Sequence, residues 1–241
     1  MPEASTQWIS LDTADGPMRV YVAHPAASPA RAVVVLQEAF GVNDHIQDVT
    51  RRFADRGYLA VAPDLFHRTG PDVVAYDDHA QAMPLIGALG PEQIIPDVQA
   101  ALDHVRQEGL DLAHTAVVGF CFGGRAAFTA ATVTPGLGAA VVFYGPGIAA
   151  GPYAVLERGA SITAPLLLHV GADDPTIPAE QRAAIDDVMS GAEIPFEQHV
   201  YPGAGHAFAC DARPKMYRED AAQQAWDRTH RFLDHYLPSA A

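Results

Sequence analysis

The sequence predicts one α/β domain, built on a doubly wound, mostly parallel sheet with helices on both faces. Short apolar runs recur along the 241 residues, amphipathic segments separate most of these runs, and no linker divides the chain. Short apolar runs are typical of strands buried on both faces, and their alternation with amphipathic helices predicts a parallel sheet. We therefore expect a single domain over residues 1–241.

The first two predicted strands form an antiparallel pair at the start of the chain. They lie at residues 6–12 and 18–24, and the segment between them contains Asp15-Gly16, a dipeptide typical of hairpin turns. Six more apolar runs predict buried strands, and they lie at 32–37, 58–63, 115–120, 139–144, 165–171 and 196–201. The sheet should therefore have eight strands.

Helical patterns lie between most of these strands. Ile46, Val49 and Phe53 recur at three- and four-residue spacing, and a second such series runs over residues 98–105 before Gly109, a typical helix stop. Further helices should open near residues 124–125, near 179 and around 223–236. Residues 66–92 are weakly patterned and contain several prolines and glycines. This 66–92 segment should cross the carboxyl edge of the sheet, where ligands of such folds bind.

Composition excludes several classes of partner. The formal net charge is −14 and no basic run occurs, which argues against nucleic acid or an anionic membrane as partner. No apolar stretch approaches the roughly 20 residues that span a bilayer, and the first ten residues lack a secretory signal. Two cysteines are consistent with a reducing compartment. We expect a cytoplasmic monomer or small homo-oligomer that acts on a small molecule without a cofactor.

The stretch VVGFCFGG at residues 117–124 places Cys121 between two glycines, after a predicted strand and before a predicted helix. A strand, a sharp turn and a helix are the context that the nucleophile elbow of α/β-hydrolases requires. Gly119 and Gly123 lack the Cβ atoms that would collide with neighbouring backbone. The helix that follows directs free N–H groups toward the cysteine and favours its thiolate. Cys121 is therefore a candidate nucleophile rather than a packing residue.

A nucleophile of this kind needs a base and an orienting carboxylate, in the chain order nucleophile, acid, histidine. An Asp pair, Asp173 and Asp174, follows the predicted strand at 165–171. His206 lies in a glycine-rich loop after the last predicted strand. Both loops should lie at the carboxyl edge of the sheet, beside Cys121. The sequence therefore predicts a Cys-His-Asp triad in which either aspartate could be the acid.

These motifs resemble those of the dienelactone hydrolase (carboxymethylenebutenolidase) family, an α/β-hydrolase branch with a cysteine nucleophile. GFCFGG at residues 119–124 is similar to the family's Gly-Tyr-Cys-Leu-Gly-Gly, and QEAFGVN at 37–43 is similar to its Gln-Glu-x-Phe-Gly-Val-Asn. GADDPTIP at 171–178 and AGHAFA at 204–209 complete the likeness, which covers about residues 30–235. The resemblance implies an α/β-hydrolase fold and hydrolysis of an enol lactone or a small carboxylic ester.

The resemblance also implies roles for individual residues. Cys121 corresponds to the nucleophile and His206 to the general base. The family's acid lies three positions after a glycine, and counting from Gly171 favours Asp174 over Asp173.

Three further residues take roles from the same resemblance. Glu38 corresponds to a glutamate that contacts the resting cysteine and disfavours its thiolate. The backbone N–H groups of Ala39 and Phe122 correspond to the oxyanion hole.

The resemblance is weaker at the positions that bind the substrate in the family. Dienelactone carries a carboxylate that well-described members bind with arginines, and one of these positions is Cys210 here. Arg213 lies close by in sequence and is the expected substitute. Phe40, Phe122 and Tyr144 are predicted to build part of a more apolar pocket, which would suit a thioesterase or a general carboxylesterase. A third alternative is a non-catalytic module that binds a ligand or senses redox state through Cys121.

No metal is predicted. The histidines in the first third of the chain lack the spacing of metal ligands, and they are His24, His45, His67 and His79.

Overall fold

The computed structural model describes residues 4–237 and has one eight-stranded sheet. Its strands are β1 (Ser5–Thr13), β2 (Gly16–His24), β3 (Arg31–Leu36), β4 (Tyr58–Pro63), β5 (Thr115–Phe120), β6 (Ala139–Phe143), β7 (Leu166–Gly171) and β8 (Phe196–Tyr201). Their order across the sheet is β1-β2-β4-β3-β5-β6-β7-β8. Strand β2 is antiparallel to both of its neighbours, whereas β3 to β8 are parallel. The predicted eight strands and mostly parallel sheet are confirmed.

The helices cover both faces of this sheet. They are α1 (Asp44–Asp55), α2 (His79–Gly87), α3 (Pro91–Gln107), α4 (Phe122–Ala131), α5 (Ala179–Ser190) and α6 (Glu219–Tyr236). Apolar residues of α1 and α6 pack on one face of the sheet, and those of α3, α4 and α5 pack on the other. Strands β5 and β6 are buried along their whole length, and β3 is buried from Ala32 onward, because side chains alternate between two cores. In β3, for example, Val34 and Leu36 lie in one core while Val33 and Val35 lie in the other.

The helix boundaries differ from the predicted ones in the middle of the chain. Helix α3 begins at Pro91, seven residues before the apolar series at 98–105, because proline is well suited to the first helical turn. The weakly patterned 66–92 segment contains helix α2, with Pro84 inside it. Helices α4 and α6 also begin a few residues earlier than predicted, at Phe122 and Glu219.

The 66–92 segment lies at the carboxyl edge of the sheet, as predicted. Val73 forms an isolated bridge with Gly41, in the loop that follows β3, and the Val74 N–H donates to the carbonyl of Phe40 at 3.1 Å. The segment is thereby tied to the loop that carries Glu38 and Ala39. Within residues 4–237, no helix combines the length and apolarity that crossing a membrane requires.

Candidate active site

Cys121 lies at the sharp turn between β5 and α4, in a backbone conformation that is rare for a residue with a side chain. Its φ is 54° and its ψ is −120°. The turn is held on both sides, since the Cys121 N–H donates to Phe143 O at 3.0 Å and its carbonyl accepts from Gly124 N at 2.8 Å. Such strained conformations persist where the surrounding structure fixes them, and they cluster at functional sites. The predicted strand-turn-helix context of Cys121 is confirmed.

The two flanking glycines are needed because backbone segments approach closely at this turn. A Cβ atom at Gly119 would overlap the carbonyl oxygen of Gly123, and one at Gly123 would overlap the carbonyl oxygen of Leu36. Strands β3 and β5 are neighbours, with Leu36 opposite Gly119. The first turn of α4 is therefore pressed against the loop after β3, which carries the predicted oxyanion donor Ala39.

The structure brings the Cys121 sulfur, the His206 ring and the Asp174 carboxylate together. His206 Nε2 lies 3.1 Å from Cys121 Sγ, and His206 Nδ1 lies 2.8 Å from Asp174 Oδ2. The three residues come from the loops after β5, β7 and β8, whose carboxyl ends meet at one edge of the sheet. One imidazole therefore lies between a thiol and a buried carboxylate.

Asp174, rather than Asp173, is the aspartate that contacts His206. Asp174 is buried, whereas Asp173 is exposed. The sequence reasoning missed Thr176, whose hydroxyl donates to Asp174 Oδ1 at 2.6 Å and lies 3.1 Å from His206 Nδ1. The Thr176 N–H also donates to Asp174 Oδ1, at 2.8 Å. An Asp followed two residues later by Thr is a local turn pattern that could have indicated this support.

The electrostatics of this site favour the protonated, positively charged form of His206. Burial lowers the pKa of His206, but the Cys121 sulfur and the Asp174 carboxylate outweigh burial and raise it to about 10. Burial raises the pKa of Asp174, but hydrogen bonds from His206 and Thr176 outweigh burial and lower it below its ordinary value. Asp174 is thus ionised at neutral pH, and His206 holds its proton when Cys121 is ionised.

This pairing predicts the alkaline side of the pH–rate profile. If the His206 imidazolium protonates the leaving group of an unactivated alkyl ester, kcat/KM should fall only as the pH rises through about 10, where that proton is lost. In Asp174→Asn the carboxylate that raises this pKa is absent, so the fall should move to lower pH. An alkaline fall near neutral pH in the wild-type protein would contradict this prediction.

The two residues predicted to form the oxyanion hole, Phe122 and Ala39, belong to the elements on either side of the close approach at Gly123. The Phe122 N–H is in the first turn of α4, and the Ala39 N–H is in the loop after β3. Within residues 4–237, neither group donates to a backbone acceptor outside the regular helices and strands. First-turn N–H groups of a helix have no intrahelical partner, so the Phe122 N–H is available to a ligand.

Glu38 lies beside Cys210 and Tyr76 in this structure. It is buried, and Cys210 Sγ donates to its Oε2 at 3.7 Å, while the Tyr76 hydroxyl lies 3.6 Å from Cys210 Sγ. Burial and the Glu38 charge raise the pKa of both the Cys210 thiol and the Tyr76 hydroxyl. The Cys121 thiol makes its hydrogen bond with His206 instead, so the implied contact of Glu38 with the resting cysteine stays a prediction.

One group of side chains in the described part of the chain has the donor atoms of a metal site. Glu38, His45 and Cys210 each offer one ligand atom, and these atoms lie within 4.8 Å of one another. His45 Nδ1 lies 3.2 Å from Asp211 Oδ1, and His45 Nε2 has no partner. The spacing of histidines could not reveal this group because its members are far apart along the chain.

The three predicted substrate-binding residues differ in position. The Phe40 ring packs edge-on against Tyr76 at 4.8 Å, and the Arg213 guanidinium lies over both rings, 5.2 Å from Phe40 and 5.1 Å from Tyr76. The expectation for Tyr144 needs correction, because its side chain is 0% exposed and so forms no pocket wall. Its ring packs against the His206 imidazole at 5.4 Å and therefore supports that ring from the core.

Comparison with known proteins agrees with this fold and geometry. The family model described as the dienelactone hydrolase family matches residues 18–237. A Yersinia pestis protein provisionally named carboxymethylenebutenolidase is 36% identical over 215 residues, covering 86% of this chain and 80% of that protein. A protein of the same provisional name from Escherichia coli strain K12 is 36% identical over 231 residues, covering 91% of this chain and 83% of that protein.

A solved structure gives the same result. The crystal structure of a protein from Klebsiella pneumoniae, provisionally described as a dienelactone hydrolase, superposes with a TM-score of 0.89 at 31% sequence identity. The match covers 97% of this chain and 99% of that one. The sheet order, the turn at Cys121 and these matches together show that the chain has the α/β-hydrolase fold and belongs to the dienelactone hydrolase family.

Proposed function

We propose that this protein hydrolyses an enol lactone or a small carboxylic ester through an acyl-thioester on Cys121. Membership of the dienelactone hydrolase family supports hydrolysis of the carboxymethylenebutenolidase type. The observation that carries the finer proposal is the 3.1 Å contact between Cys121 Sγ and His206 Nε2, with Asp174 on the other ring nitrogen. A thiol that can pass its proton to a held imidazole is an activated nucleophile.

The first half of the reaction acylates Cys121. Its proton passes to His206 Nε2, and the thiolate sulfur attacks the carbonyl carbon of the ester or lactone. The negative charge moves to the carbonyl oxygen, where the N–H groups of Phe122 and Ala39 stabilise it as hydrogen-bond donors. The intermediate then collapses, the carbon–oxygen single bond breaks, and the His206 imidazolium protonates the departing alkoxide or enolate.

The second half releases the acid. His206, now neutral, removes a proton from a water molecule that attacks the thioester carbonyl. The sulfur leaves as thiolate and regains its proton from His206, and the carboxylic acid departs. For a lactone the two products are one molecule, because the ring is opened.

Glu38 is proposed to act on the resting thiol in this scheme. A buried carboxylate near the sulfur disfavours the thiolate, which would protect Cys121 from oxidation between turnovers. Its bond to Cys210 leaves Oε1 without a partner, so one carboxylate oxygen is free to accept from a second thiol.

The test is turnover of two substrates that share an acyl group, an uncharged p-nitrophenyl ester and the corresponding thioester. We expect the ester to be hydrolysed with a burst of nitrophenol close to the enzyme concentration, because acylation by the thiolate precedes slower deacylation. A strong preference for the thioester would instead favour a thioesterase. No Cys121-dependent turnover of either substrate would leave the ligand-binding or redox-sensing alternative.

A further inference from the structure

A cleft of about 280 Å³ opens beside the candidate active site, between helix α2 and the loop at 146–153. Its walls are largely apolar, and they include Met83 and Ile86 of α2 and Pro152 of the loop. Phe122 and Arg125 of helix α4 line the same cleft. Phe122 directly follows Cys121 in the chain, so the cleft adjoins the turn that carries the candidate nucleophile.

Arg125 is a buried cation without an acidic partner. It is only 7% exposed, and no ion pair of the described residues 4–237 includes it. Its Nη2 donates to the carbonyl of Leu89 at 3.1 Å, which is its one side-chain hydrogen bond within that range. A guanidinium carries five donors, so most of them remain free for a ligand in the cleft.

The surroundings hold this guanidinium in place. Its carbon lies 5.4 Å from the ring centres of both Phe122 and Tyr153. Gly147 makes room for it, since a Cβ atom there would lie 3.2 Å from Arg125 Cδ. Burial lowers the pKa of Arg125, and negative charge on Tyr153 or Cys121 acts in the opposite direction. A buried cation without a carboxylate is costly for folding, so its presence in a cleft wall suggests a use in binding.

The proposed ester hydrolysis at Cys121 would give Arg125 a substrate group to bind. Arg125 lies about one helical turn after Cys121, and its backbone N–H donates to Cys121 O at 3.3 Å. From the elbow, the chain leads through Phe122 directly to the guanidinium in the cleft. An acyl group on Cys121 that lies along the Phe122 side chain would bring its far end to Arg125, because Phe122 and Arg125 line the same cleft.

We propose that Arg125 is a specificity-determining residue that binds an anionic group, such as a carboxylate, at the far end of the substrate. This inference rests on the proposed ester hydrolysis at Cys121. It replaces the sequence-based expectation that Arg213 takes this part. Arg213 is less buried than Arg125 and lies in a different cavity, against Phe40 and Tyr76.

The experiment compares two p-nitrophenyl esters with acyl chains of equal length, the anionic half-ester of glutaric acid and the neutral ester of pentanoic acid. In Arg125→Gln, we expect KM for the anionic ester to rise about tenfold or more, because a charge-assisted hydrogen bond in a buried site is lost. Kinetic constants for the neutral ester should stay within about threefold. Arg125→Lys should restore part of the loss, since it keeps the charge but not the planar fork.

Two control variants separate this role from general charge effects. Arg106→Gln makes the same charge change on the exposed face of α3 and should alter neither ester. Arg213→Gln tests the other cation, and a selective loss of the anionic ester there would overturn the assignment to Arg125. Thermal unfolding of Arg125→Gln and Arg125→Lys shows whether the hydrogen bond from Arg125 to the Leu89 carbonyl is needed for folding.

The remaining outcomes are equally distinct. If Arg125→Gln and Arg125→Lys, both folded, weaken both esters alike, the residue supports the structure and the proposal is wrong. If the wild-type protein shows no advantage for the anionic ester and Arg125→Gln changes nothing, the proposal is wrong as well. If Cys121→Ala hydrolyses the neutral ester as fast as the wild-type protein does, the proposed function is wrong. That result is separate from the preference for the anionic ester.

Discussion

Cys121→Ala is expected to lower kcat/KM for ester hydrolysis by about 10⁴-fold or more, because it removes the atom that bonds to the substrate. No other thiol can replace it, since the remaining cysteine, Cys210, is buried against Glu38. The measurement is steady-state hydrolysis of a p-nitrophenyl ester by purified protein. Residual activity above about one hundredth of the wild-type value would contradict a cysteine nucleophile.

The fold should survive this substitution. Alanine has the same backbone restriction as cysteine at φ 54°, and the Cys121 side chain makes no capping hydrogen bond to helix α4. The unfolding temperature of Cys121→Ala should therefore stay close to that of the wild type. Cys121→Ser is a useful second variant, because a hydroxyl has the same geometry and is a weaker nucleophile at neutral pH. It should retain more activity than alanine and much less than cysteine.

Asp174→Asn is expected to lower kcat/KM by about 10³- to 10⁴-fold. The Asp174 carboxylate accepts from His206 Nδ1 at 2.8 Å, and this bond holds the ring in the tautomer that presents Nε2 to the thiol. An asparagine amide can donate to Nδ1, which favours the wrong tautomer. Its oxygen can still accept from Thr176, so the turn should stay folded.

Asp173→Asn is the matched control for this prediction. It removes the same charge from the adjacent residue, but Asp173 is exposed and its side chain has no hydrogen bond to His206 within residues 4–237. We expect its kcat/KM to stay within about twofold of wild type, as is usual for surface substitutions. Similar losses in Asp173→Asn and Asp174→Asn would mean that charge near the loop matters, and would contradict the specific role of Asp174.

Much of the fold could be predicted because the strands of this chain are locally encoded. Strands β3 to β7 are short, largely apolar runs, and such runs are recognisable between amphipathic helices and turns. Helix α2 could not be predicted in the same way. It contains Pro84 and buries only Ala82, so it lacks the apolar series from which a helix is recognised.

Some residues of the candidate site could be predicted from the sequence and others could not, for the same reason. Cys121, Asp174 and His206 could be predicted because each follows a strand of a parallel sheet, and the carboxyl ends of such strands meet. The position of Tyr144 beneath His206 and the free guanidinium of Arg125 could not. Both depend on the packing of loops that are distant in sequence, which no local pattern records.

The measurement that tests the central claim most directly is the mass of the protein during turnover. The protein is mixed with an activated ester of a hindered acid, and the reaction is quenched rapidly with acid. We expect one acyl group per protein, because deacylation of this acyl-enzyme is slow. Peptide mapping should place this group on the peptide that contains Cys121 and not on the one that contains Cys210. Turnover without any adduct on Cys121, or an adduct on another residue, would contradict a cysteine acyl-enzyme.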